Sequence, residues 1–240
     1  MSPVTSQRIA VVTGASRGIG NAVARACAAA GDKVVAIARS QKALEALDDA
    51  VQAGGGEPVT LVPLDLKDYD GLDRLAGALF ERFGRIDALA ACAGVLGALT
   101  PMHQATPKML EETLAANLIA NARLIRAFHP LLQASPAGRA VFLTSNVASR
   151  PRAYWGAYAA SKAGLEALAR TWADELGVTA IKANLFNPGP TRTAMRARAY
   201  PGEDPMTLPS PEEVADQITP LLQAAWTENG ATIGFVRSAG

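Results

Sequence analysis

Short apolar runs alternate along this chain with longer stretches in which hydrophobic positions recur every three to four residues. Residues 9–13 read Ile-Ala-Val-Val-Thr, a run too short for a helix and apolar at nearly every position. That pattern predicts a strand buried on both faces. Residues 18–30 predict a helix stopped by Gly31. Further strands are predicted at 33–38, 59–64, 88–92, 140–144, 179–185 and 231–236. Helices are predicted at 41–53, 69–83, 107–132 and 158–176, the first of these closed by Gly54-Gly55-Gly56. Such alternation predicts an α/β protein with a doubly wound, parallel, seven-stranded sheet and helices on both faces.

In a sheet of this kind ligands sit beyond the carboxyl ends of the strands, where the strand order reverses. The loop from Thr13 to Gly20, Asp65, Gly94, Ser145 and Pro188-Gly189 each follow a predicted strand. They are therefore expected to meet along one edge. One segment breaks the alternation: residues 190–211 are rich in Pro, Arg, Met and Tyr and have weak periodicity. Twenty irregular residues inside a compact domain predict a lid or binding loop. With no repeat or linker, residues 1–240 are expected to form a single dinucleotide-binding and catalytic domain.

Composition narrows the function. A hydrophobic fraction of 49% is ample for one core, and a net charge of +1 gives no footprint for nucleic acid or a membrane surface. No apolar stretch reaches the roughly 18 residues of a membrane span, and residues 1–7 lack a signal-peptide core. Cys27 and Cys92 fall in a predicted helix and strand, which fits a reducing cytoplasm rather than a disulfide framework. His103 and His129 share no metal-ligand spacing, so no metal is expected.

The segment Thr13-Gly14-Ala15-Ser16-Arg17-Gly18-Ile19-Gly20 places three glycines between a strand and a helix. Glycine permits a tight turn and close approach of backbone to phosphate, and the helix start offers free N–H groups. The loop thus reads as a cradle for a dinucleotide diphosphate; an ordinary β-to-α turn is the plainer alternative. No GK[ST] follows, which disfavours a nucleoside triphosphate. At the end of the second strand an NAD binder usually has an acid, whereas this chain has Ala38-Arg39-Ser40. Arg39 and Arg17 can pair with a 2′-phosphate, so NADP(H) is expected ahead of NAD(H).

Tyr158 and Lys162 are four residues apart and share one helix face. Ser145 lies at a strand end thirteen residues before Tyr158. Ketone reduction needs a proton on oxygen as well as a hydride on carbon. Tyr158 can supply the proton, Lys162 is expected to lower its pKa, and Ser145 to hold the substrate oxygen.

Together these residues make the chain resemble the short-chain dehydrogenases/reductases over nearly its whole length, with a Rossmann-type fold. The matching features are the TGxxxGxG loop, Asp65-Leu66, Ser145, the YxxxK pair and the Pro188-Gly189 turn. The resemblance implies that Asn117 supports a water linked to Lys162. It implies that Asp65 and Leu66 border the adenine, and that Tyr158 and Lys162 lie at the nicotinamide ribose. It places Thr191 and Thr193 at the carboxamide end of the cofactor and Ala93-Gly94 beside it. It also implies a homo-oligomer, tetramer or dimer. The family's Asn-Asn-Ala-Gly is here Ala91-Cys92-Ala93-Gly94, with Cys92 expected as a buried apolar residue.

An apolar substrate pocket is expected from Val95, Leu96, Tyr154, Trp155, Pro190, Met195 and Tyr200. Arg192, Arg196 and Arg198 either attract an acidic substrate or form a solvated stripe. The expected activity is NADPH-dependent reduction of a small carbonyl compound, reversible as alcohol oxidation. The competing reading is a cofactor-sensing protein on the same fold with little turnover.

Overall fold

A computed structural model describes residues 7–237. The seven strands are β1 (Ile9–Thr13), β2 (Lys33–Ala38), β3 (Thr60–Pro63), β4 (Ala88–Ala91), β5 (Arg139–Leu143), β6 (Lys182–Asn187) and β7 (Thr232–Gly234). All pair in parallel, in the order β3-β2-β1-β4-β5-β6-β7. The order reverses between β1 and β4, which sets the switch point there.

The helices are α1 (Gly18–Ala29), α2 (Gln41–Ala53), α3 (Tyr69–Phe83), α4 (Pro107–Leu114), α5 (Ala120–Gln133), α6 (Gly156–Glu175), α7 (Ala194–Ala199) and α8 (Pro211–Ile218). Because side chains alternate along a strand, β1 feeds two cores. Ile9 and Val11 pack with Leu72, Leu124, Phe128, Leu165 and Trp172 from α3, α5 and α6. Ala10 and Val12 pack with Val23, Cys27, Leu44, Leu47 and Val214 from α1, α2 and α8. Full burial of side chains such as Phe128 and Leu47 contributes roughly 1.5–3 kcal/mol each.

The long helix expected at 107–132 is not continuous. A π turn, Ala115–Ile119, separates α4 from α5. One extra residue in a turn leaves the hydrophobic spacing nearly intact, so periodicity alone does not reveal it. β6 begins three residues later than expected because Thr179 and Ile181 belong to a turn in which Thr179 Oγ1 accepts the Ile181 N–H at 3.3 Å. The irregular segment also gains structure: it holds α7, capped by Thr193, and a short 3₁₀ turn, Pro205–Thr207.

The amino rim of the sheet carries buried polar chemistry. Asp87 Oδ2 accepts the Ile9 N–H at 2.9 Å, and its Oδ1 accepts from Ser135 Oγ at 2.6 Å and Arg85 Nε at 3.0 Å. Arg139 donates to the carbonyls of Gly138, Ala180, Ala224 and Trp226 at 2.7–3.0 Å. These bonds tie β1, β4, β5 and the 224–226 segment together, away from the carboxyl rim.

Candidate active site

At the carboxyl rim, Thr13 of β1 stands level with Ala91 of β4. Thr13 Oγ1 accepts the Ala93 N–H at 3.2 Å. Gly14 has φ +68°, and a Cβ there would stand 2.8 Å from Ala93 Cα. A Cβ on Gly20 would stand 2.5 Å from the Gly14 carbonyl oxygen. Only glycine allows these backbones to approach so closely. The first turn of α1 has no acid, and Arg17 at its N-cap makes no side-chain capping bond. The N–H groups there keep the positive end of the helix open to an anion. Ser16 is half-buried in this loop, Arg17 is exposed, and Ile19 packs onto the core below.

The neighbouring strand ends extend this groove. Arg39 is exposed directly after the buried Ala38. Asp65 closes its own turn by accepting the Lys67 N–H at 3.0 Å, and Leu66 packs against the core. On the other side, Gly189 turns with φ +61° after Pro188. Thr191 is buried and donates to the Pro188 carbonyl at 3.2 Å. Thr193 reaches back across the groove: its Cγ2 lies 3.4 Å from the position of a Cβ at Gly18. An open helix start, a cradle sterically reserved for glycine and two arginines without an acidic partner among the described residues suit a dinucleotide with a 2′-phosphate.

Asn117, Ser145, Tyr158 and Lys162, the residues expected to handle the proton, come together next to this groove. The Ser145 hydroxyl stands near enough to the Tyr158 phenol to pull its pKa down. Lys162 is buried, with Nζ 5.8 Å from the centre of the Tyr158 ring and donating to the Leu143 carbonyl at 2.7 Å. Asn117 sits in the π turn. Its amide grips the backbone of Val95 from both sides, accepting the N–H at 2.8 Å and donating to the carbonyl at 2.9 Å. Gly94 lies between the groups: a Cβ there would stand 3.4 Å from Asn117 Oδ1 and 3.6 Å from Lys162 Nζ.

Electrostatics depart from expectation at one point. Burial raises the Tyr158 pKa, and the opposing influence is the Ser145 hydrogen bond rather than Lys162. Lys162 is itself shifted: burial brings its pKa down to about 8. Its ammonium is also directed to the Leu143 carbonyl. Cys92 behaves as a packing residue; burial pushes its thiol up to about 12, against the pull of the Lys162 charge.

Two contributors escape a reading of motifs. Ser161 Oγ accepts from Asn117 Nδ2 at 3.0 Å and donates to the Tyr158 carbonyl at 2.8 Å, joining the π turn to α6. Asn121 Nδ2 donates to the Asn117 carbonyl at 2.7 Å. Its spacing of four from Asn117 is the one available signal. Of the expected pocket wall, Leu96, Trp155 and Met195 cluster with Val147, Tyr158, Ala159 and Ala199, and Tyr200 lies against Trp155, whereas Tyr154 is exposed. Of the three arginines, Arg196 pairs with Glu203, while Arg198 donates to the Gly97 carbonyl at 3.1 Å. Arg192 contacts Met206.

Known proteins share this arrangement. The short chain dehydrogenase profile matches residues 8–204. The uncharacterized oxidoreductase YciK of Escherichia coli is 36% identical over 211 residues, covering 87% of this chain and 83% of its own. A short chain dehydrogenase structure from Salmonella enterica serovar Typhi superposes with a TM-score of 0.92 at 32% identity over 98% of each chain. A Shigella flexneri chain described as a short chain dehydrogenase, complexed with NADP, gives 0.91 at 34% identity over 98% of this chain and 99% of that one. With likeness of this extent in sequence and in fold, the chain belongs to the short chain dehydrogenase family.

Proposed function

We propose that this protein is an NADP(H)-dependent oxidoreductase that reduces a ketone or aldehyde and, in reverse, oxidises the alcohol. The observation that carries the reading is the Tyr158–Ser145 hydroxyl pair, backed by buried Lys162 and opening beside the glycine cradle. The N–H groups at the start of α1 would hold the diphosphate. Arg17 and Arg39 would take the 2′-phosphate; among the described residues neither has an acidic partner. Thr191, Thr193 and the Pro188-Gly189 turn would border the nicotinamide. Bound there, the cofactor supplies the hydride.

The chain's own residues handle the proton. Ser145 and Tyr158 donate hydrogen bonds to the carbonyl oxygen, polarising it as negative charge develops. Tyr158 then delivers its proton to that oxygen. Burial holds the phenol protonated, which is the form that donates, so reduction is favoured at and below neutral pH. Lys162 places a cation behind the phenol as charge builds there. Asn117 acts by position: it fixes the Val95 backbone and, through Ser161, the turn of α6 that carries Tyr158. The reading includes the cytoplasmic homo-oligomer expected from the sequence. The test is NADPH consumption with a panel of aldehydes and ketones. Turnover faster with NADPH than NADH is expected; tight NADPH binding without any turnover overturns the reading in favour of a sensing protein.

A further inference from the structure

We propose that the substrate carries an anionic tail on an apolar body, and that Arg152 receives the anion at the far end of an aromatic row beginning at Tyr158. This rests on the carbonyl-reductase reading above.

The row is built from three rings. Trp155 meets Tyr158 edge-on with centroids 5.8 Å apart, and Tyr200 lies 5.9 Å beyond Trp155 at an angle of 35°. Leu96, Val147 and Met195 pack around its inner end, so the surroundings of the phenol are apolar and suit a hydrophobic body. At its outer end the chemistry changes. Arg152 Nη1 donates to the Tyr200 hydroxyl at 3.0 Å, and the Arg196 guanidinium stacks 3.7 Å over the Tyr200 ring.

The two arginines are not equivalent. Glu203 meets Arg196 through two bonds of 2.6 Å and neutralises it. Arg152 is exposed, and among the described residues no carboxylate pairs with it. Its orientation is nonetheless set, because one arm is fixed on Tyr200 and the remaining N–H groups stay free to fork onto a carboxylate or phosphate. Arg150 stands two residues before Arg152 in a chain whose net charge is only +1. A local positive field over an otherwise balanced surface recruits anions.

The backbone supports a functional role for this turn. Tyr154 has φ 73°, the sole non-glycine residue with positive φ among the described residues. Its carbonyl accepts the Thr100 N–H at 3.0 Å, and the Trp155 N–H donates to the Arg152 carbonyl at 3.2 Å. Strain of this sort persists where surrounding structure enforces it, typically at ligand sites. This turn carries Arg152, whose side chain meets Tyr200 at the outer end of the row.

Two ring spacings correspond to a substrate with about seven methylenes between carbonyl and anion. The test uses a methyl ketone of about ten carbons ending in a carboxylate, its counterpart ending in a phosphate monoester, and the neutral methyl ester. Steady-state NADPH consumption is read at low and high salt. The expected kcat/KM for one or both anions exceeds that of the ester by about tenfold at low salt, and the ratio falls as salt is added. The larger ratio names the head group. In Arg152→Gln the ratio approaches one, and Arg152→Lys restores part of it. An ester reduced as well as both anions, or a ratio unchanged in Arg152→Gln, overturns the inference and leaves carbonyl reduction standing. Failure to reduce any of the three, or any carbonyl of the wider panel, overturns both.

Discussion

The phenol of Tyr158 is buried, and burial outweighs the opposing pull of Ser145, so it stays protonated through the neutral range. In the proposed reaction it is the acid that serves the substrate oxygen beside the glycine cradle. Tyr158→Phe removes the proton and keeps the ring. Its kcat should fall about a hundredfold or more, the usual scale of general acid catalysis, while NADPH affinity measured by fluorescence titration stays near wild type. A second residue-scale prediction concerns cofactor choice. Ala38→Asp with Arg39→Ile installs a ribose acceptor and removes a phosphate partner. The ratio of kcat/KM for NADPH over NADH should drop about tenfold or more, since a charge-assisted bond is worth at least about 1.5 kcal/mol. The sequence singles out Tyr158 and Lys162 by their spacing of four, and Ser145 and Arg39 by their places after predicted strands. Ser161 is not singled out, because its role exists only where α6 meets the π turn, a contact between segments 44 residues apart.

At the scale of elements, α7 and its flanks carry the clearest mechanical prediction. The segment closes on itself through Arg196–Glu203 and through the Arg192 N–H to the Pro209 carbonyl at 2.9 Å. It touches the body through Met195 and Ala199 on the Tyr158 cluster, through Tyr200 on Trp155 and Arg152, and through Arg198 on Gly97. We propose that this preformed segment is a lid that moves as a unit. Arg196→Ala should speed amide exchange across residues 194–204 and raise KM more than it changes kcat. In the wild type, NADPH with substrate should slow the same amides; exchange already slow without them would mark a fixed loop. The weak periodicity of 190–211 signalled an exceptional segment, but not α7, because six residues are too few to display a helical period. The π turn stayed hidden for a related reason. Its five residues preserve the apolar face of the helix while turning Asn117 toward Val95.

For the whole molecule, Lys162 sets activity against stability. Its pKa is about 8 in the fold, below the roughly 10.4 of an unfolded chain. Below both values the lysine is charged in either state, and the folded protein bears the full cost of burying that charge. Between them the unfolded chain binds the extra proton, so stability rises with pH through this window. Lys162→Met lacks the dependence. Relative to that variant, the wild type should gain about 2 kcal/mol between about pH 7 and about pH 10, read from urea denaturation at each pH. The variant should be inactive throughout. The topology was legible at this scale because strand–helix alternation leaves few alternatives. The amino-rim network was not, since Asp87, Ser135 and Arg139 look like ordinary surface residues until the strands align them. That network has a consequence for descent with modification. Its bonds hold the strands in register from the edge opposite the reactive groups, so loops at the reactive edge can be exchanged without loosening the frame. A lineage built this way can try new substrates by altering one rim while the other keeps each trial folded.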